Sequence, residues 1–188
     1  LLPYLKGFLE QFPHVRILID SQDTARTISM LEQQQLDIGL IAEPRMRRGL
    51  SFLPVMQIED AFVCTRAYLD NLKIREGEGA DLFTCGTILL LNRSNMTRAH
   101  IDAYFAEQGI EPRQVLEATT MDLLIEFAKT GLGIGCVIRD FVNDELSDGT
   151  LMEIPLAAPI RKRTIGFAYQ PAYATKTMRR FIHFCFPS

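Results

Sequence analysis

Along this chain the apolar positions alternate between helical spacing and short branched runs, and that alternation lays out the elements. Leu1, Leu2, Leu5, Phe8, Leu9 and Phe12 recur at helical spacing until Pro13, which cannot continue a helix. Val15 to Asp20 alternates and is rich in branched residues, which predicts a strand; Asp23 or Thr24 then caps a helix carrying Ile28 and Leu31. Leu36 to Ala42 is nearly continuous and apolar apart from Asp37, an inner strand stopped by the turn at Pro44. Leu50 to Thr65 holds two apolar clusters, split by Pro54 and by Glu59 and Asp60, and reads as an irregular strand leaving the first half.

Residues 66–83, centred on EGEGAD, are polar and rich in glycine and charge, so a surface connection is predicted there. The pattern then resumes: a strand at Thr87 to Leu91, a helix at Thr97 to Gln108 with Ile101, Tyr104 and Phe105 inward, a stop at Gly109, and a strand at Gln114 to Ala118. The most informative stretch is Thr119 to Arg139, where Met121, Leu124, Ile125 and Ala128 share one helix face. Thr119 or Thr120 suits the helix start, Asp122 its positive end and Lys129 its negative end. Gly131 follows as a left-handed stop, and Ile134 to Ile138 is a strand covered on both faces. A short helix around Phe141 to Leu146 ends at the turn Ser147 to Gly149, strands follow at Leu151 to Leu156 and Arg163 to Gln170, and an amphipathic helix begins near Thr175.

Gly131, Gly133 and Gly135 look like part of a dinucleotide fingerprint, but a phosphate loop needs its glycines after a strand and before a helix. Here they follow the helix, so close packing of helix against strand is the better explanation. Strands alternating with helices imply a mostly parallel sheet with covered faces. Two such series separated by a polar connection imply two α/β lobes with a cleft between them, and place function at the strand-to-helix turns.

Composition narrows the classes. A formal charge of −3 gives no basic field for nucleic acid, and Arg161, Lys162 and Arg163 make a short basic cluster. Cys64, Cys85, Cys136 and Cys185 lie far apart with no CxxC, mostly in apolar runs, and read as free structural thiols of a reducing compartment. His14, His100 and His183 are isolated, so spacing signals neither a metal site nor a Cys/His pair, and no cofactor is indicated. No apolar stretch is long enough to cross a bilayer.

Taken together, LLPYLKGFLEQFPHVRI at the start, LDIGLIAEP after the second helix and GLGIGCVIRDFVNDELSDGTLMEIPL with its returning strand and helix resemble the effector-binding domain of LysR-type transcriptional regulators. The resemblance covers essentially the whole chain. It implies two Rossmann-like lobes of the type II periplasmic-binding-protein-like fold, with residues 1–65 and 164–188 in lobe I and residues 66–163 in lobe II. It also implies a small-molecule effector in the interlobe cleft, a homodimer of this domain and a higher homo-oligomer of the longer protein. Promoter DNA would be bound only through an N-terminal helix-turn-helix domain that this chain does not include, and a first strand ahead of Leu1 is likewise expected to be missing. The location implied is cytoplasmic, with no membrane contact.

Candidate effector contacts fall on three turns. Ser21 and Gln22 follow the first predicted strand and either donate to a ligand or serve turn and capping chemistry. Asn92, Arg93, Ser94, Asn95 and Thr97 concentrate donors at a helix start, an anion site in one reading and a cap with a solvated arginine in the other. Thr119 and Thr120 match a position where the family often puts a ligand-contacting hydroxyl, and one of them also caps a helix. Asp37 has no carboxylate or nucleophile placed beside it, so no catalytic residue is assigned. For dimer contacts, the first helix with Leu1, Leu5 and Phe8 and the helix at Thr97 to Gln108 are the candidate surfaces. The leading reading is ligand sensing in transcription control; a periplasmic solute-binding protein of a transporter is the alternative, and an enzyme on the same fold a third.

Overall fold

In the computed structural model, which describes residues 2–44 and 49–186, most helices start at a side-chain cap and stop at a proline or glycine. Pro13 closes α1 (Leu2–Gln11). Asp23 Oδ1 accepts the Arg26 N–H at 2.8 Å and opens α2 (Thr24–Glu32), which leads into β1 (Gly39–Ala42) and β2 (Ser51–Ile58). After β3 (Asp60–Cys64), Thr65 caps α3 (Arg66–Glu76) and Asp81 caps the short α4 (Leu82–Cys85). The next stretch runs β4 (Thr87–Leu91), α5 (Met96–Gln108), β5 (Gln114–Ala118), α6 (Met121–Lys129) and β6 (Ile134–Ile138). A 3-10 turn at Arg139–Val142 passes into α7 (Asn143–Asp148), and β7 (Met152–Glu153), β8 (Arg163–Tyr169) and α8 (Lys176–Cys185) complete the chain.

These elements form two units: one runs up to Met56 and resumes at Ile165, and the other is Gln57–Thr164. Unit 1 holds a three-stranded sheet in the order β1-β8-β2, with β1 antiparallel to β8. Its core joins Phe8 of α1 to Phe167 of β8 and Phe181 of α8, with the Phe8 and Phe181 rings edge to face at 5.1 Å. Unit 2 holds a five-stranded sheet in the order β5-β4-β6-β3-β7, with β4 parallel to both neighbours and β3 antiparallel to β6 and β7. Successive side chains of a strand point to opposite faces, and here both faces are dry. Ile88, Leu90 and Phe62 meet Ile101, Tyr104 and Phe105 of α5 on one face; Leu89, Leu91 and Val63 meet Leu124, Ile125 and Ala128 of α6 on the other.

The structure corrects several expectations. Val15 to Asp20 is not a strand, and Leu18 is 96% exposed. Alternation makes a strand only where a neighbouring strand takes up its backbone groups, and unit 1's sheet pairs only β1, β8 and β2. Residues 66–83 are not a plain connection, because α3 and α4 lie there. Only Leu69 and Leu72 of α3 are buried, so the helix has a cap and good helix formers but almost no apolar period to reveal it. The stretch Leu50 to Thr65 makes two strands. Since β3 pairs with β6, the chain has entered unit 2 before residue 60, not after residue 65. The strand at Leu151 to Leu156 shrinks to Met152–Glu153. Phe8 is 1% exposed and belongs to the core of unit 1, so it is not free for a partner, and Leu1 lies outside the described residues.

The glycine run is packing. Gly131 takes φ +76° after α6; a Cβ on Gly135 would sit 3.0 Å from Leu124 Cδ2, and one on Gly133 would strike the Thr87 carbonyl oxygen. The thiols are also structural: burial pushes Cys64 up to about 11 although Arg66 pulls the other way, and burial likewise raises Cys136 well above the ordinary thiol value.

Gly133→Ala should cost about 1–3 kcal/mol in urea unfolding, as overpacking does, whereas Gly79→Ala, with open space around it, should cost almost nothing. A thiol reagent near neutral pH should leave Cys64 and Cys136 unmodified in the folded chain and label both after denaturation.

Candidate functional site at the ends of two parallel strands

Strands β4 and β5 run side by side and end together, with Leu91 opposite Ala118 and the Asn92 N–H donating to the Ala118 carbonyl at 3.0 Å. The chain then leaves β4 for α5 on one face of the sheet and leaves β5 for α6 on the other. Adjacent parallel strands that feed helices on opposite faces open a crevice at their carboxyl ends, where ligands of open α/β sheets bind. The turns flanking it are residues 92–97 and 119–120.

The first turn is pre-organised by its own side chains. Ser94 Oγ donates to Asn92 Oδ1 at 2.8 Å, and Asn95 Oδ1 accepts the Thr97 N–H at 2.8 Å as the cap of α5. Arg93 is solvated, 84% exposed with Nε 3.9 Å from Glu117 Oε1. In the second turn Thr120 Oγ1 accepts the Leu123 N–H at 3.3 Å and caps α6. Thr119 is exposed, and its hydroxyl bonds to none of the described residues. The turns from β4 and β5 therefore come together. Ser21 and Gln22 belong to unit 1, at the start of α2. Ser21 is exposed, while Gln22 is tied to its own helix, accepting from Arg26 Nε at 3.0 Å and donating to Met30 Sδ at 3.1 Å.

Two buried arginines around α5 escaped the sequence reading. Arg98, 5% exposed, donates to the Leu91 carbonyl at 3.0 Å, to Glu117 at 2.8 Å and to Asp102 at 2.8 Å, and so pins the ends of β4 and β5 to α5. Burial works against its charge, but the hydrogen bonds to Asp102 and Glu117 outweigh it and raise its pKa. Arg163 grips Asp60 with two hydrogen bonds of 2.8 and 2.6 Å, and its remaining nitrogen donates to Thr97 Oγ1 at 3.2 Å. His100 Nε2 stands 4.0 Å from Asp60 Oδ2 and 2.9 Å from the Arg161 carbonyl. The signal for Arg98 was present in the sequence, since it shares an inward stripe with Ile101 and Phe105, and a charge on such a stripe needs buried partners. The basic cluster is consumed in pairing: Arg161 with Glu107, Lys162 with Glu59, Arg163 with Asp60. Among the described residues no group of His, Cys, Asp and Glu side chains is placed to hold a metal ion, and no helix is long and apolar enough to cross a membrane.

The two α/β units have the type II periplasmic-binding-protein-like fold. The chain belongs to the LysR substrate binding domain family, which it matches over residues 1–187. It is 26% identical over 182 residues to the uncharacterized HTH-type transcriptional regulator YeiE of Escherichia coli (strain K12), covering 96% of this chain and 61% of YeiE. It thus spans about three fifths of the length of that curated relative. Similar solved structures include the CcmR regulatory domain of Synechocystis PCC6803 in complex with 2-PG, at a TM-score of 0.81, 13% identity, and coverage of 98% of this chain and 88% of that one. Another is the effector binding domain of QuiR in complex with shikimate, at 0.76 and 17%, covering 98% of this chain and 87% of that one.

The two threonines should separate cleanly by stability. Thr120→Ala should lose about 0.5–2 kcal/mol, the usual worth of an N-cap, and Thr119→Ala close to none, both read from denaturant midpoints. Arg98→Met leaves the Leu91 carbonyl without its buried donor, and should cost about 1–3 kcal/mol in the same assay.

Proposed function

We propose that this chain is the effector-sensing domain of a bacterial LysR-type transcription regulator and that its effector is a small polar or anionic metabolite. The observation that carries the reading is the pairing of the β4 and β5 ends, which brings residues 92–97 and 119–120 to one edge of the sheet. The N–H groups at the starts of α5 and α6 that Asn95 and Thr120 leave uncapped favour an anion by about 0.3–1 kcal/mol at each helix. Thr119 and Arg93 add donors at these turns, Arg93 adds a permanent positive charge, and the Ser94 hydroxyl, which donates to Asn92 Oδ1, keeps its oxygen as an acceptor. The bound 2-PG of CcmR and shikimate of QuiR support small metabolites as the ligand class for this fold. Ser21 and Gln22 of unit 1 are further candidate contacts.

The chain binds and does not catalyse. Its role in DNA binding is indirect, since the net charge is −3 and the cluster Arg161, Lys162 and Arg163 is paired with acids. Promoter contact belongs to a helix-turn-helix domain of the longer protein, as the description of YeiE supports. The working form is a homodimer of this domain inside a larger homo-oligomer, in the cytoplasm where the DNA lies.

A thermal-shift screen of carboxylate and phosphate metabolites followed by calorimetry tests the assignment, because a ligand that binds only the folded state raises the unfolding midpoint. The expected result is a hit whose affinity falls about tenfold in Thr119→Val, the worth of one hydrogen bond, with the ligand-free midpoint unchanged. Equal affinity in wild type, Thr119→Val and Ser94→Ala would place the effector elsewhere. The same chain should give no operator-specific band in a gel-shift assay.

A further inference from the structure

Resting on that reading of the turns, we infer that Arg163 is a positioning residue for the effector, acting through Thr97. Arginine donates and never accepts, so in the 3.2 Å contact between Arg163 and Thr97 Oγ1 the threonine must be the acceptor. A threonine hydroxyl carries a single proton, and none of the described residues accepts it. Thr97 sits in the first turn of α5, where the backbone N–H groups also point outward. Its hydroxyl is thereby fixed as a donor toward whatever occupies the turn. Such a donor admits an acceptor oxygen, as in a carboxylate or phosphate, and discriminates against a ligand group that is itself only a donor.

Arg163 is equipped to hold that orientation. Its side chain is 10% exposed and that of Asp60 is 0% exposed, and the two hydrogen bonds between them leave the guanidinium plane no freedom to turn. Both residues lie in unit 2, Asp60 a few residues after the chain enters it and Arg163 just before the chain leaves it. The adjacent pair Lys162 with Glu59 doubles the tie between these two crossing segments. Thr97 is thus linked through one rigid side chain to the place where the chain passes between its units. Lysine cannot substitute, because a single ammonium does not present three donors in a fixed plane.

The test uses inorganic phosphate as the probe and nuclear magnetic resonance as the readout, on this chain and four variants. Arg163→Met alone would strand a buried carboxylate, so the working variant is the double replacement Asp60→Leu with Arg163→Met. That removes both charges together and is compatible with folding. Scalar couplings to the Thr97 methyl carbon report its χ1 angle. The expected result is one rotamer in wild type and averaging in the double variant and in Arg163→Lys. Phosphate binding at residues 92–97 should weaken about tenfold in the double variant and in Thr97→Val, the worth of one hydrogen bond, and stay at the wild-type level in Thr97→Ser. An unchanged Thr97 rotamer and unchanged phosphate affinity in the double variant, with binding lost in Thr97→Val, would overturn the role of Arg163 and leave the site standing. Phosphate that moves no amide of residues 92–97 or 119–121 in wild type would overturn the anion reading of the turns and this inference with it.

Discussion

The structure depends on β4 being buried on both sides. Its run Ile88, Leu89, Leu90, Leu91 has no polar face to give to water, so each face must be covered by a different helix. Because α5 takes the Ile88 and Leu90 side and α6 the Leu89 and Leu91 side, the chain must leave adjacent strands in opposite directions. The crevice at the strand ends follows from that burial. Hydrophobic packing thus fixes where the turns at residues 92–97 and 119–120 stand.

The charges around this crevice serve geometry first. Arg98 ties the Leu91 carbonyl, Glu117 of β5 and Asp102 of α5 to one guanidinium, so the floor of the crevice and the helix above it move together. Arg163 does the same for Asp60 and Thr97. Enclosing two cations is costly unless each is paired with counter-charge, and each is, Arg98 with Asp102 and Glu117 and Arg163 with Asp60. Arg93, by contrast, stays solvated, with only a 3.9 Å pairing to Glu117.

How much of this was legible in the sequence depends on whether an element carries its own cause. The helix at Met121–Lys129 and the strand at Ile134–Ile138 have cap, period and stop within one stretch, and their positions agree with the reading from sequence. The helix at Arg66–Glu76 was hidden because two buried leucines make no period. Val15 to Asp20 looked like a strand because side chains show in a sequence and missing ladder partners do not. The turns at residues 92–97 and 119–120 could be placed on strand ends, but the partners of Arg98 and Arg163 could not, since Glu117, Asp60 and Thr97 are brought near only by the sheet.

The central claim is that the effector lies between the first turns of α5 and α6. A crystal structure of the chain soaked with its tightest-binding metabolite tests it most directly. The account predicts ligand oxygen atoms within hydrogen-bond distance of the Thr119 hydroxyl and of the free N–H groups of residues 96 and 98 or 121 and 122. Ligand density confined to another part of the chain, with these turns contacted only by water, would contradict it.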